Sequence, residues 1–332
     1  MAFNRRFWIG LLVSAALCAA GLHGFARTRL AAPSLGMPRL PVSSAGGYLS
    51  ASDSGEVDQA LFYFGLLGFG ERIRTADILV LGSSHAMFGL SAEQLADAYS
   101  SATGRAVSSF NMALGNGEGL RFARMIGERL RPDAVHAIAD PFGSTADGLS
   151  MPAREALRGG PINGYARVFT IWLDYLRDRT LEAVLPRARL KPGSGLTFGR
   201  FLRGAFVFRD WQTGEVHTVW SPEGEMFWGE SSAHGHPLER QGSFHVDPLS
   251  ERELAFLRTL SPGLALTLVP YPSYDEAWAR QIAAQIGAPF LAIDPDGLLY
   301  WDHHHLTAAS RAAATLQIIA GLANDRSSRP SR

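Results

Sequence analysis

Three short stretches of the chain hold residue types that can do covalent chemistry. The first is Gly82-Ser83-Ser84-His85, directly after the aliphatic run Ala76-Asp77-Ile78-Leu79-Val80-Leu81. A serine at a strand-to-helix turn can expose its hydroxyl, and its own backbone N–H can face a developing oxyanion. The second is Asp302-His303-His304-His305. In a helical turn a separation of three puts Asp302 and His305 on the same side. The carboxylate can then hold one imidazole nitrogen and leave the other free for a serine. The third is Asn111-Met112-Ala113-Leu114-Gly115-Asn116-Gly117, in which Gly115 can give a backbone N–H to an oxyanion and Asn116 or Asn111 a side-chain amide. Each stretch also has a plainer reading: a turn capping the next helix, a helix N-cap or surface histidine cluster, and a tight turn with positive φ at Gly115 or Gly117. Three consecutive histidines cannot all point at one metal on a regular helix, and HExxH-type spacing is absent, so neither metal nor cofactor is expected.

These stretches need a scaffold, and the flanking pattern supplies one. Residues 76–81 read as a fully buried strand, and 107–112, 134–140, 264–269 and 289–293 as four further strands. Helices are expected at 57–74, at 91–99 behind the capping box Ser91-Ala92-Glu93-Gln94, and at 120–130, 274–286 and 306–322. Strands alternating with helices predict an α/β fold with a parallel five-stranded sheet covered on both faces. Ligands of open parallel sheets bind beyond the carboxyl ends of the strands, which is where the first three features fall. Residues 151–255 break the rhythm and read as an insertion. It has an arginine-rich helical part and an aromatic part holding Trp211, Trp220 and Trp228. Those tryptophans can form a sugar-stacking platform or fill the core beneath the insertion.

Taken together, the serine after the first strand, the glycine–asparagine turn after the second and the Asp-x-x-His before the last helix resemble the SGNH/GDSL hydrolase superfamily. Its first block, Gly-x-Ser, matches Gly82-Ser83-Ser84; its last, Asp-x-x-His-Leu, matches Asp302 to Leu306. The likeness covers residues 76–145 and 262–322. It implies a flavodoxin-like three-layer sandwich with Ser84 as nucleophile, His305 as base and Asp302 orienting it. Gly115 falls at the second-block oxyanion glycine, so the oxyanion hole is expected from Ser84, Gly115 and Asn116. Two departures stand out: Ser83 replaces the usual aspartate of the first block, and the third block, Gly-x-Asn-Asp, is absent, the third strand ending Ala139-Asp140-Pro141-Phe142-Gly143. The nucleophile elbow of the α/β-hydrolases is not completed either, since Ala86 stands at its final glycine. The form looks like a divergent, membrane-anchored bacterial branch, similar to enzymes that add or remove acyl groups on exported polysaccharides. The expected activity is a serine esterase or O-acyltransferase on such a carbohydrate. The alternative is a catalytically silent scaffold or carbohydrate-binding subunit of an envelope polysaccharide machine.

Composition narrows the partners. Lys+Arg and Asp+Glu are both 31, so the basic excess of a nucleic-acid binder is missing. The single cysteine, Cys18, rules out an internal disulfide framework. Arg5 and Arg6 precede an uncharged apolar run from Phe7 to Leu22. This predicts a signal anchor or signal peptide over 1–26, with the N-terminus cytoplasmic and the body periplasmic at the bacterial inner membrane, or secreted if the segment is cleaved. Residues 27–56 read as a linker, 57–325 as the hydrolase-like domain, and 326–332 as a disordered tail. The partners implied are an acylated carbohydrate, the inner membrane and polysaccharide-export machinery.

Overall fold

A computed structural model describes residues 47–52, 55–115, 118–142, 149–184, 206–220, 227–228, 235–239, 249–260, 263–302 and 304–328, with a few positions between 10 and 20. The chain begins with β1 (Gly47–Ser52) and β2 (Gly55–Glu56), then α1 (Asp58–Phe64), a 3-10 turn and α2 (Phe69–Thr75). The first central strand, β3 (Ile78–Leu81), leads into α3 (Ser84–Gly89) and α4 (Ala92–Thr103). Then come β4 (Ser109–Asn111), α5 (Leu120–Leu130), β5 (His136–Ala139) and the long α6 (Met151–Val184), which breaks at Gly160-Pro161. Four short strands follow: β6 (Phe206–Asp210), β7 (Val216–Trp220), β8 (Phe227–Trp228) and β9 (His236–Pro237). The order closes with α7 (Glu251–Thr259), β10 (Leu264–Thr267), α8 (Glu276–Ile286), β11 (Phe290–Leu291), β12 (Leu299–Tyr300) and α9 (Ala308–Ser328).

The central sheet runs β4-β3-β5-β10-β11 and every pairing in it is parallel. Read in chain order this is 2-1-3-4-5, the flavodoxin-like order. Alternate residues of the buried strands feed the two helical layers, because successive side chains point to opposite faces. Ile78, Val80, Ile138 and Ala265 pack towards Phe88 of α3, Leu95 of α4 and Ile318 of α9. Leu79, Leu81, Ala137 and Leu266 pack towards Phe122 of α5, Leu257 of α7 and Ile282 of α8. The fold is therefore α/β, a three-layer flavodoxin-like sandwich.

A second, antiparallel sheet, β2-β1-β6-β7-β8, lies beside β4. It corrects the expected linker at 27–56: residues 47–52 and 55–56 are strands, with Tyr48 and Leu49 buried, so of that linker only 27–46 can be tether, and those lie outside the described residues. The reason is tertiary. Gly47-Tyr48-Leu49-Ser50 carries no sustained apolar period, yet it pairs with β6 (Leu49 opposite Phe208), and Tyr48 OH and Ser50 Oγ both bond the Asp58 carboxylate. The supposed insertion thus shares a sheet with the N-terminal strands. Trp211 is core, 6% exposed, stacked on Phe69 with ring centroids 5.3 Å apart and 4.7 Å from Tyr48. It is not a sugar platform, because burial against two aromatic rings leaves it no free face. Trp220 and Trp228 sit on the paired strands β7 and β8, and their side chains lie outside the described residues.

At the C-terminus α9 runs to Ser328, so the expected tail from 326 shortens to 329–332, which also lie outside the described residues. Among the described residues no helix is long and apolar enough to cross a membrane; most of the Phe7–Leu22 run is not among them.

Candidate active site

The switch point of a 2-1-3-4-5 sheet lies between its first and third strands, where helices leave to opposite faces. Here those strands are β3 and β5, and their carboxyl ends carry Gly82-Ser83-Ser84 and Asp140. Gly82 has φ +144°, and a Cβ there would sit 2.8 Å from Ala86 Cβ and 3.0 Å from Asp140 O. Only glycine lets the chain leave β3 this close to β5. Ser83 is the N-cap of α3 and accepts from His85 N–H. Ser84 is the first helical residue and is partly exposed.

The opposite wall is the turn between β12 and α9. Trp301 N–H donates to His305 O and Thr307 N–H to Leu299 O, folding residues 300–307 into a tight loop. Within it Asp302 Oδ1 accepts from the backbone N–H of His304 (3.1 Å) and His305 (2.7 Å), and Oδ2 lies 2.6 Å from His305 Nδ1. The spacing of three therefore works through a carboxylate-centred turn, not through a helix, which begins only at Ala308. Burial pushes the Asp302 carboxyl up, but the hydrogen bonds from His305 and His304 outweigh it and hold the group below the usual carboxylate range. Asp302 is an anion that fixes the imidazole by Nδ1. His305 Nε2 is buried and has no hydrogen-bond partner.

The two walls meet through rings. The His305 imidazole lies 4.8 Å from the Phe88 ring and 5.6 Å from the His85 ring, both on α3, and Trp301 stacks on it at 5.7 Å while meeting Phe88 edge-on at 5.8 Å. Ser84, His85 and Phe88 occupy one side of α3, so the helix led by Ser84 presents that side to His305. Residues some 220 positions apart thus converge on one rim. The expected hydrogen bond between Ser84 Oγ and His305 Nε2 is nevertheless not formed, since Nε2 is unpartnered.

The glycine-rich loop after β4 runs beside this turn: Met112 N–H bonds Val80 O and Leu114 N–H bonds Gly82 O at 3.1 Å. Gly115 is buried and not in the left-handed region; a Cβ there would lie 2.5 Å from Glu56 Oε1. Neither φ nor a backbone contact demands glycine here; the close atoms are the carboxylate end of the flexible Glu56 side chain. That carboxylate also accepts from Gln59 Nε2 at 2.7 Å. Asn116 lies outside the described residues. Asn111 is no oxyanion donor: its Nδ2 donates to Met87 O at 3.2 Å and its Oδ1 accepts from Ala113 N–H, so the amide closes the end of α3.

Residues with no role assigned from the sequence surround the site. His85, 8% exposed, packs against the Tyr271 ring (4.6 Å, stacked) and the Phe142 ring (4.6 Å, edge-on), which are themselves 4.1 Å apart. Asp140 is fully buried and accepts from Phe142 N–H and Val269 N–H; burial pushes its carboxyl up to about 7 despite these bonds. Arg209, from β6, is fully buried and holds Asn111 O and Ala113 O at 2.8 Å each, while its Nε faces Asp58 Oδ2 at 3.1 Å. Among the described residues no group of three or more His, Cys, Asp or Glu side chains is placed to hold a metal ion. His304 is exposed and His303 lies outside the described residues.

Compared with known protein families, with curated proteins and with solved structures, the chain matches none.

Proposed function

We propose that the chain is an SGNH-like serine esterase or O-acyltransferase acting on an acylated, exported carbohydrate. One observation carries this reading: an Asp302-held imidazole whose second nitrogen is unpartnered and whose ring lies 4.8 Å from that of Phe88, on the helix that Ser84 leads. Ser84 Oγ attacks the ester carbonyl carbon while its proton passes to His305 Nε2. Asp302 stabilises the imidazolium that forms, and the tetrahedral oxyanion accepts from Ser84 N–H. Collapse breaks the bond to the leaving alcohol, which takes the proton back from His305 and leaves an acyl-Ser84 ester. Water, or a sugar hydroxyl, then attacks that ester with His305 again as base. The first acceptor makes an esterase and the second a transferase. No cofactor enters either sequence.

The apolar run behind Arg5 and Arg6 supports placing the body outside the bacterial inner membrane, where export machinery and an acylated polysaccharide would be its partners. A second reading, a silent scaffold of the same fold, draws support from the missing Ser84–His305 hydrogen bond and from the Glu56 carboxylate at Gly115. A fluorophosphonate probe separates the two. Covalent labelling of the folded protein that disappears in Ser84→Ala, with acetate released from acetylated sugars by the wild type alone, is the enzyme's result. Folded wild-type protein that takes no label is the scaffold's.

A further inference from the structure

A tetrahedral oxyanion needs more than one donor, and the Gly115 side of the site carries a carboxylate. We propose that His85 is a catalytic residue: a neutral imidazole whose Nε2–H donates to the oxyanion formed on Ser84. The proposal rests on the acyl-transfer reading above and deepens it.

Three observations converge. The first is position. His85 follows Ser84 directly, and its ring lies 5.6 Å from that of His305, so a carbonyl carbon held between nucleophile and base lies beside this imidazole. The second is the tautomer. Ser83 Oγ accepts the backbone N–H of His85 and sits 3.3 Å from its Nδ1. The hydroxyl has one proton of its own to give, and the proposal assigns it to Nδ1, so that Nδ1 accepts and Nε2 carries the ring proton. Ser83 is fully buried, so water does not compete for this bond. The third is rigidity. Tyr271 stacks on one side and Phe142 meets the ring edge-on, both at 4.6 Å, so the donor is aimed before substrate arrives. Burial, and then the neighbouring His305 and His304, hold His85 well below the ordinary histidine range, so it is uncharged at pH 7. A neutral donor here leaves His305 free to become the only imidazolium of the cycle.

Two substitutions pull the roles apart. His85→Phe keeps the stacking and removes the donor; His85→Gln loses the stacking and places an amide N–H near the former Nε2. Each is compared with wild type and Ser84→Ala for 4-nitrophenyl acetate turnover and for the rate of fluorophosphonate labelling, with thermal melts to establish folding. The expected result is a loss of about 100-fold in kcat for the Phe variant at near-constant KM, and a Gln variant within about 10-fold of wild type. A Phe variant as fast as wild type, or a Gln variant slower than the Phe variant, overturns the proposal and leaves the Ser84 reading standing. Should the Phe variant not fold, His85→Asn takes its place. Its amide reaches only to the former Nδ1, so a rate equal to that of the Gln variant also overturns the proposal. Wild-type protein that neither labels nor turns over removes the acyl-transfer reading, and this proposal falls with it.

Discussion

Asp140 stands at the carboxyl end of β5 with no exposed surface, its oxygens fixed by two backbone N–H groups. Its carboxyl is raised to about 7 from 3.8, so between those values the folded protein holds a proton that the unfolded chain releases. Stability from this group is therefore present at acid pH and is lost as pH rises towards 7. His85, lowered by burial, acts in the opposite sense: the unfolded chain takes up a proton below about 6.5 that the folded protein refuses, so folding gains as pH rises through that value. The two dependences oppose each other in the wild type. In Asp140→Asn only the histidine's remains. The stability difference, variant minus wild type, should grow from pH 4 to pH 7 and level off above it. Urea titrations at several pH values measure this, and a difference independent of pH would show that Asp140 is ionised throughout.

At the scale of elements, one arginine ties the second sheet to the loop after β4. Arg209 reaches from β6 to the carbonyls of residues 111 and 113, and to an Asp58 carboxylate that also accepts from Tyr48 and Ser50. Because Arg209 bonds one side of this strand extension, its other side, through Met112 and Leu114 N–H, stays registered on β3 beside Ser84. Removing one partner of a buried ion pair strands the other's charge, which costs about 3–5 kcal/mol. Arg209→Leu should lose stability of that order, and adding Asp58→Asn should recover part of it. A loss below about 1 kcal/mol in denaturant titrations would mean that the pair does not hold the sheets together. A similar arrangement joins α9 to the same sheet: Arg311 donates to Val216 O and faces Glu215, which in turn accepts from Ser91 at the start of α4.

For the molecule as a whole, the N-terminal strands belong to the folded body. A chain beginning at residue 44 should fold and melt cooperatively. One beginning at residue 57 loses β1, the partner of β6, and two hydroxyl donors to buried Asp58. It should melt lower by roughly 10 °C or more, or fail to fold, as followed by circular dichroism. Equal melting temperatures would return residues 47–56 to the role of a tether. The candidate site lies at the switch point of the central sheet, whereas the second sheet lies at its β4 edge and reaches the loop after β4 through Glu56, Arg209 and the turn at Thr213. Candidate site and supporting sheet are thus separate parts of one body.

The central strands, most of the helices and the Asp302–His305 pair were legible in the amino-acid sequence because their signals are local. Aliphatic runs such as Ile78–Leu81 end in turn residues, Ser91 caps a helix, and a separation of three brings Asp302 to His305. What remained hidden depends on partners far away in the chain. Tyr48 and Leu49 become a core strand only opposite β6, about 160 residues on, and Trp211 becomes core only between Phe69 and Tyr48. His85 sits inside the Gly-Ser-Ser-His stretch, but its ring partners are Phe142, Tyr271 and His305. Glu56 beside Gly115 and Asp140 behind Gly82 follow the same rule. Spacing in sequence decides which groups can meet within one turn. Burial and ion pairing between distant segments act only once the layers close, and they decide here which oxygen and nitrogen atoms line the candidate site.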